Sequence, residues 1–195
     1  MISKLGSFFP TIYTIGPLHA LLSSVIKDSP PLPSTNSLLW KEDQDCMSWL
    51  DSQPLTSVVF VSFGSLVQLT LDQVLEFWHG LTSSGNGFLW VIRSDSITGE
   101  HDMERILKEL KDTAEGRGRI VSWAPQEEVL AHPAVGGFLT HSGWNSIMES
   151  IYAGVPMIGW PKFADQQLNS RCVSDVWKIG FDMKDTLIDQ RWRKW

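Results

Sequence analysis

The sequence is short of several things, and each shortage removes a class of protein. It holds two cysteines, Cys46 and Cys172, far apart and in no C-x-x-C pair. That suits a reducing compartment, with both thiols expected as small buried hydrophobes. No apolar run approaches the roughly 20 residues that a membrane helix needs. The start, MISKLGSFFP, has one lysine and a very short apolar piece before Pro10, a poor signal peptide. No N-x-S/T sequon occurs, and lysine and arginine form no stripe beyond the terminal RWRKW, within a formal net charge of −6. A nucleic-acid surface needs such a stripe. The expectation is a soluble, cytoplasmic chain with no transmembrane segment and no nucleic-acid partner. An anionic ligand would have to be held by local N–H groups, because the global field opposes it.

Familiar motifs are missing too. There is no G-x-G-x-x-G, G-x-x-x-x-G-K-[ST], G-x-S-x-G or H-E-x-x-H. Dinucleotide dehydrogenase, P-loop kinase, α/β-hydrolase and zincin readings lose their usual support. Histidine and cysteine nowhere gather at metal-ligand spacing, so no metal site is expected.

What is present is an ordinary globular balance: 195 residues, 43% apolar and 19% charged, enough for one sizeable core. Residues 1–54 read as an irregular leader broken by DSPPLPSTNS and SQP, with one short helix around KEDQDCMSWLD burying Trp49 and Leu50. From Ser57 the pattern changes. SVVFVSF, GFLWVIR, GRIVSW, GGFLT and VPMIGW are short β-branched and aromatic runs. They alternate with the helical patterns LTLDQVLEFWHGLTSSG, DMERILKELKDTA, PQEEVLAHP, WNSIMESIYAG and ADQQLNSRCVSDVWKIG. Strands alternating with helices predict an α/β domain over 55–185 with a mostly parallel sheet, and 186–195 remain as a divergent tail. Ligands in such sheets bind beyond the carboxyl ends of the strands, which directs attention to FGS, SWAPQ, THSGWNS and GWPKFADQQ.

In THSGWNS a strand ends at His141, Ser142 and Gly143 and a helix starts near Trp144, leaving unpaired N–H groups that favour an anion. Asn145 and Ser146 could add donors, or Ser142 or Asn145 could merely cap the helix. Glu149 shares the helical face with Asn145 and Ser146 and could accept from ligand hydroxyls, or be solvated. In WAPQ, Trp123 could stack on a base and Gln126 both donate and accept, or the tryptophan could be core. Asp165 and Gln166 carry groups suited to sugar hydroxyls, with helix capping by Asp165 as the alternative. Ser65 could offer a hydroxyl to phosphate, while Gly64 could be only a turn residue. Together these loops suggest a ligand with a base, phosphates and a sugar.

Trp123 to Gln166, WAPQEEVLAHPAVGGFLTHSGWNSIMESIYAGVPMIGWPKFADQ, spans 44 residues and resembles the secondary-product box of plant UDP-dependent glycosyltransferases. SVVFVSFGSL and FLWVIR are similar to the same family's carboxyl half. The resemblance implies a Rossmann-like, mostly parallel α/β sheet, the carboxyl-terminal domain of a GT-B fold truncated at both ends. It implies a donor site of Ser65, Trp123, Ala124, Gln126, His141, Gly143, Trp144, Asn145, Ser146, Glu149, Asp165 and Gln166. In that site Trp123 stacks on uracil and Glu149 accepts from ribose. His141, Asn145, Ser146 and Ser65 meet the diphosphate, and Asp165 and Gln166 hold the sugar. Ser142 stands where the family more often has cysteine. UDP-glucose is the expected co-substrate, with no other cofactor, and a small lipophilic plant metabolite is the acceptor of an inverting transfer.

The family's general base, a histidine of the amino-terminal domain, has no counterpart among His19, His79, His101 and His132. No catalytic residue is therefore assigned here. The isolated chain is expected to be inactive or weakly active, with a complementary amino-terminal half as a partner. The alternative is a truncated, non-catalytic UDP-sugar-binding protein or interaction module.

Overall fold

The structure is a computed structural model. It describes residues 45–99, 103–114 and 116–183, and before them only Phe8, Phe9, Thr11, Gly16, Pro17, Leu21 and Asp43. The leader's proline-rich stretch and the tail 186–195 lie outside the described residues. Residues up to Ser34 form one compact unit and Thr35 onward another; the described elements below all belong to the second.

Helix α1 (Asp45–Asp51) precedes β1 (Val58–Ser62). A two-residue strand β2 (Leu69–Thr70) then leads into α2 (Leu71–Ser83), followed by β3 (Gly87–Val91), β4 (Ile97–Thr98) and α3 (Met103–Thr113). The second half alternates β5 (Gly118–Val121), α4 (Gln126–Ala131), β6 (Val135–Thr140), α5 (Trp144–Ala153) and β7 (Met157–Gly159). It closes with α6 (Gln166–Arg171), a π-helical turn Cys172–Val176 and β8 (Gly180–Asp182).

Six strands form one sheet in the order β5-β3-β1-β6-β7-β8, every neighbouring pair parallel. Parallel strands joined by helices are covered on both faces, and the strand residues alternate accordingly. Val61, Phe88, Trp90, Ile120 and Leu139 pack on the side of α2 and α3. Phe60, Leu89, Val121, Phe138 and Met157 pack on the other side with α4 and α5. Phe60 and Phe138 stack at 5.0 Å between β1 and β6. The double glycine opening β6 has a packing reason. The register slips between Val58 and Val59, which oppose Val135 and Gly137, and a Cβ on Gly136 would lie 2.4 Å from the Thr56 carbonyl oxygen.

Strands and helices alternate from Val58 to Asp182 as the pattern predicts, with four differences. In α1 the buried pair is Cys46 and Leu50, and Trp49 is only half-buried; because Cys46 and Leu50 join the core, the packed unit reaches upstream of residue 55. Cys172 is half-buried, against Cys46 at 0% exposure. The helix expected over ADQQLNSRCVSDVWKIG is a short α-helix running into the π-helical turn. Strand β8 and the β2–β4 pair, with two or three residues each, are too short to carry a periodic signal.

Phe138→Ala should destabilise the chain by about 3–5 kcal/mol, since it empties a fully packed aromatic site. Phe181→Ser on exposed β8 should shift stability by less than about 0.5 kcal/mol. Urea unfolding of the two variants checks both.

Candidate functional site

The chain steps outward from β1 to β3 and β5, then returns to lay β6 on the other side of β1 before stepping out to β7 and β8. The strand order therefore reverses between β1 and β6. At such a reversal the loops leaving two adjacent strands diverge and open a crevice at their carboxyl ends. The two loops here are Phe63–Gly64–Ser65 and His141–Ser142–Gly143.

Both loops are built around the His141 ring. A Cβ on Gly64 would sit 2.7 Å from His141 Cε1, and one on Gly143 would sit 2.4 Å from His141 Nε2. Gly64 also has φ +73, the left-handed region that glycine enters without penalty. The imidazole is thus clasped by two backbone segments that only glycine allows so close. Burial pushes its pKa below the ordinary 6.5, with Ser62 backbone and Asp165 acting in the opposite direction. Burial thus favours the neutral imidazole, and its Nδ1 is buried with no well-aligned partner among the described residues. Ser142 follows with φ +64, strain of the kind that concentrates at ligand-holding loops.

Helix α5 opens into this crevice without a lid. Its N-cap is Gly143, with no side-chain cap bond and no acidic residue in the first turn. Capping by Ser142 or Asn145 is therefore ruled out. The comparison with α2 is direct: there Thr70 and Gln73 complete a reciprocal capping box, which satisfies two backbone donors. At α5 the first N–H groups remain available, and they carry the positive end of the helix dipole.

The remaining predicted residues gather around α5. Gln126 Nε2 donates to Ser146 Oγ at 2.9 Å and to Glu149 Oε2 at 2.6 Å. This ties the turn after β5 to one face of α5, as the spacing of Ser146 and Glu149 requires. Trp123 is half-buried beside it. Ala124 is 5% exposed and part of the core, so only its backbone can face a ligand. Asn145 is exposed; Trp144 is 49% exposed, its ring 6.4 Å from that of Trp177.

On the β7 side, Asp165 occupies the N-cap of α6 but makes no side-chain cap bond, so its alternative capping role is also ruled out. Its Oδ2 accepts from Asn169 Nδ2 at 2.6 Å, and the same amide donates to the Ser142 carbonyl at 3.1 Å. Gln166 is buried, its Oε1 accepting from the backbone N–H groups of Lys162 and Phe163 at 2.9 and 3.1 Å. Its carbonyl shapes the loop, leaving only the amide for a ligand. Lys162 Nζ rests 4.2 Å from the centre of the Trp160 ring.

Two residues escaped sequence reasoning. Asn169 bridges the Asp165 loop to the Ser142 loop, and Arg93 donates from Nη2 to the Ser65 carbonyl at 3.0 Å. The i,i+4 spacing of Asp165 and Asn169 could have revealed the first. The second needs the neighbouring placement of β1 and β3. Among the described residues, no group of three or more His, Cys, Asp or Glu side chains comes together as a metal site would require.

An open helix terminus at a strand-order reversal, flanked by the Trp123 turn and by Glu149 and Asp165, sits at the carboxyl edge of a Rossmann-like parallel sheet. The family profile described as UDP-glucoronosyl and UDP-glucosyl transferase matches residues 39–185, and the chain belongs to that family. It is 56% identical over 188 residues to 7-deoxyloganetic acid glucosyltransferase of Catharanthus roseus, covering 95% of this chain and 39% of the relative. It is 58% identical over 184 residues to a myricetin 3-O-rhamnoside 1,2-glucosyltransferase of Crocosmia x crocosmiiflora, covering 94% and 37%. A crystal structure of Os79 from O. sativa with UDP and deoxynivalenol-3-glucoside superposes with TM-score 0.70 at 38% identity, covering 92% of this chain and 37% of that one. The chain thus spans under two-fifths of these relatives' length, and its sheet is the Rossmann-like sheet of GT-B glycosyltransferases.

Two outcomes follow from the His141 clasp. Gly64→Ala should cost about 1–3 kcal/mol by strain and by displacing the ring, read by urea unfolding. Because burial depresses the His141 pKa, the unfolded chain gains a proton as pH falls through 6.5 while the folded chain resists it. Stability should therefore fall as pH drops below that value and recover above it, and His141→Gln should flatten this slope in unfolding midpoints taken across the range.

Proposed function

We propose that this chain is the donor-binding half of a UDP-glucosyltransferase. Transfer would be from UDP-glucose to a hydroxyl of a small lipophilic plant metabolite, with inversion at the anomeric carbon. The observation that carries this reading is the uncapped α5 terminus beside His141 at the β1/β6 reversal. It offers a diphosphate several N–H donors and a partial positive charge where the chain as a whole is negative.

The other groups then fall in order along one ligand. The Trp123 turn takes the uracil, and Gln126 holds Glu149 in position to accept from the ribose hydroxyls. Asn145, Ser146 and Ser65 meet the phosphates. Asp165, fixed by Asn169, accepts from sugar hydroxyls, joined by the Gln166 amide. As the bond from the anomeric carbon to the diphosphate oxygen breaks, negative charge grows on the departing UDP. Donors already aimed there favour the transition state over the ground state. The helix terminus supplies this charge stabilisation without a cofactor. A neutral His141 adds a hydrogen bond and no fixed charge, so binding does not depend on protonation near pH 7.

The acceptor pocket and the general base belong to a complementary amino-terminal half. His132 illustrates why none of this chain's described histidines serves as base. Its Nε2 pairs with Asp51 at 3.2 Å and its Nδ1 accepts from the Ala134 N–H. This His–Asp pair precedes β6, at the end of the sheet opposite the crevice. Two free cysteines and the lack of a membrane-length apolar helix among the described residues fit a cytoplasmic setting.

Titration calorimetry with UDP-glucose should show binding, and Glu149→Ala should weaken it roughly tenfold by removing a charge-assisted bond. The isolated chain should transfer little or no sugar, assayed by product formation from a mixture of phenolic and terpenoid alcohols. Absence of UDP-glucose binding by the folded chain would overturn the reading.

A further inference from the structure

We infer that Arg93 is a positioning residue for the donor's diphosphate, acting through the Ser65 loop; this rests on the reading of the crevice as a UDP-sugar site. Arg93 lies just past the end of β3, the strand beside β1, and its side chain is only 11% exposed. Its Nη2 donates to the Ser65 carbonyl at 3.0 Å and its Nε to Asp95 Oδ1 at 2.8 Å. A guanidinium is costly to bury, and the bond it makes here crosses 28 residues of sequence to reach one loop carbonyl.

That loop needs an anchor. Gly64 gives it a left-handed turn and the most backbone freedom of any residue, while Ser65 and Leu66 are exposed. Among the described residues the Ser65 hydroxyl makes no hydrogen bond, so the tie at its carbonyl is what fixes it. Strand order supplies the direction. Arg93 approaches from the β3 side of β1, whereas the crevice and α5 lie on the β6 side. A trans peptide points its N–H opposite to its carbonyl, and no peptide described here is cis. With the Ser65 carbonyl drawn toward Arg93, the Leu66 N–H turns toward the crevice. The clasp on the other side, His141 against Gly64, stops the loop from collapsing inward.

The guanidinium also places a positive charge one peptide away from the phosphate-binding loop, within a chain of net charge −6. Asp95 orients it from the outer side, with 58% of its side chain exposed, so solvent screens that carboxylate more than the buried fork. A planar fork suits this two-way task better than an ammonium.

The test uses the full chain and three probes: uridine, UMP and UDP. Arg93→Met should weaken UDP binding roughly tenfold while leaving uridine unchanged, because the tie and the charge act only on phosphate. Arg93→Lys, which guards against a failure of Arg93→Met to fold, should show a smaller loss confined to the same ligands. Ser65→Ala keeps the carbonyl that Arg93 holds, so in that background the further loss on adding Arg93→Met should persist, as expected for a residue acting through the Ser65 backbone. Equal weakening of uridine and UDP, or an unchanged UDP-to-uridine ratio in both variants, would overturn the inference alone. A wild-type chain that binds neither ligand would instead overturn the UDP-sugar reading beneath it.

Discussion

The contact on which the site depends is the imidazole of His141 held between two glycine backbones. Gly64 ends one loop and Gly143 starts a helix, and a Cβ on either would collide with the ring. The close approach fixes the gap between β1 and β6 at their carboxyl ends, and with it the distance between Ser65 and the first turn of α5. It also explains why α5 has a glycine N-cap. A serine or aspartate there would satisfy a helix donor, but its side chain would need the space that His141 fills. Packing and ligand readiness therefore come from one choice: the residue that makes room for the ring is the residue that leaves the helix open.

Opening a helix terminus costs stability, and the chain offsets this by holding the surrounding loops with side-chain amides and one guanidinium. Gln126, Gln166 and Asn169 each bond two partners, while Arg93 bonds Ser65 and Asp95. Amides hold a loop without adding net charge. The acidic groups are kept back from the open terminus. Glu149 lies more than a turn into α5, and Asp165 is on the loop after β7.

Much of this was legible in the sequence because periodicity and punctuation agree. Short apolar runs followed by helical spacing gave the parallel sheet, and polar residues at strand ends marked the loops. Glu149 and Ser146 shared a face simply because they are three apart on a helix. The misses have physical causes. Trp49 looked like the buried residue of α1 because indole is large and apolar, but that helix offers its narrow inner face to Cys46 and Leu50. The inward turn of the Gln166 carbonyl, to two backbone donors that the loop would otherwise leave unpaired, depends on the loop's own fold and has no local signal. Arg93 was invisible for a different reason. Its role exists only once β3 lies beside β1, a pairing of strands that no local spacing encodes.

Strand order also separates what this chain can do from what it cannot. All of its ligand-ready groups leave the sheet at one end, since parallel strands deliver their carboxyl ends together. The one His–Asp pair among the described residues, His132 with Asp51, sits at the other end, where strands begin. Although it has the composition of a base and its orienter, the length of the strands lies between it and the crevice.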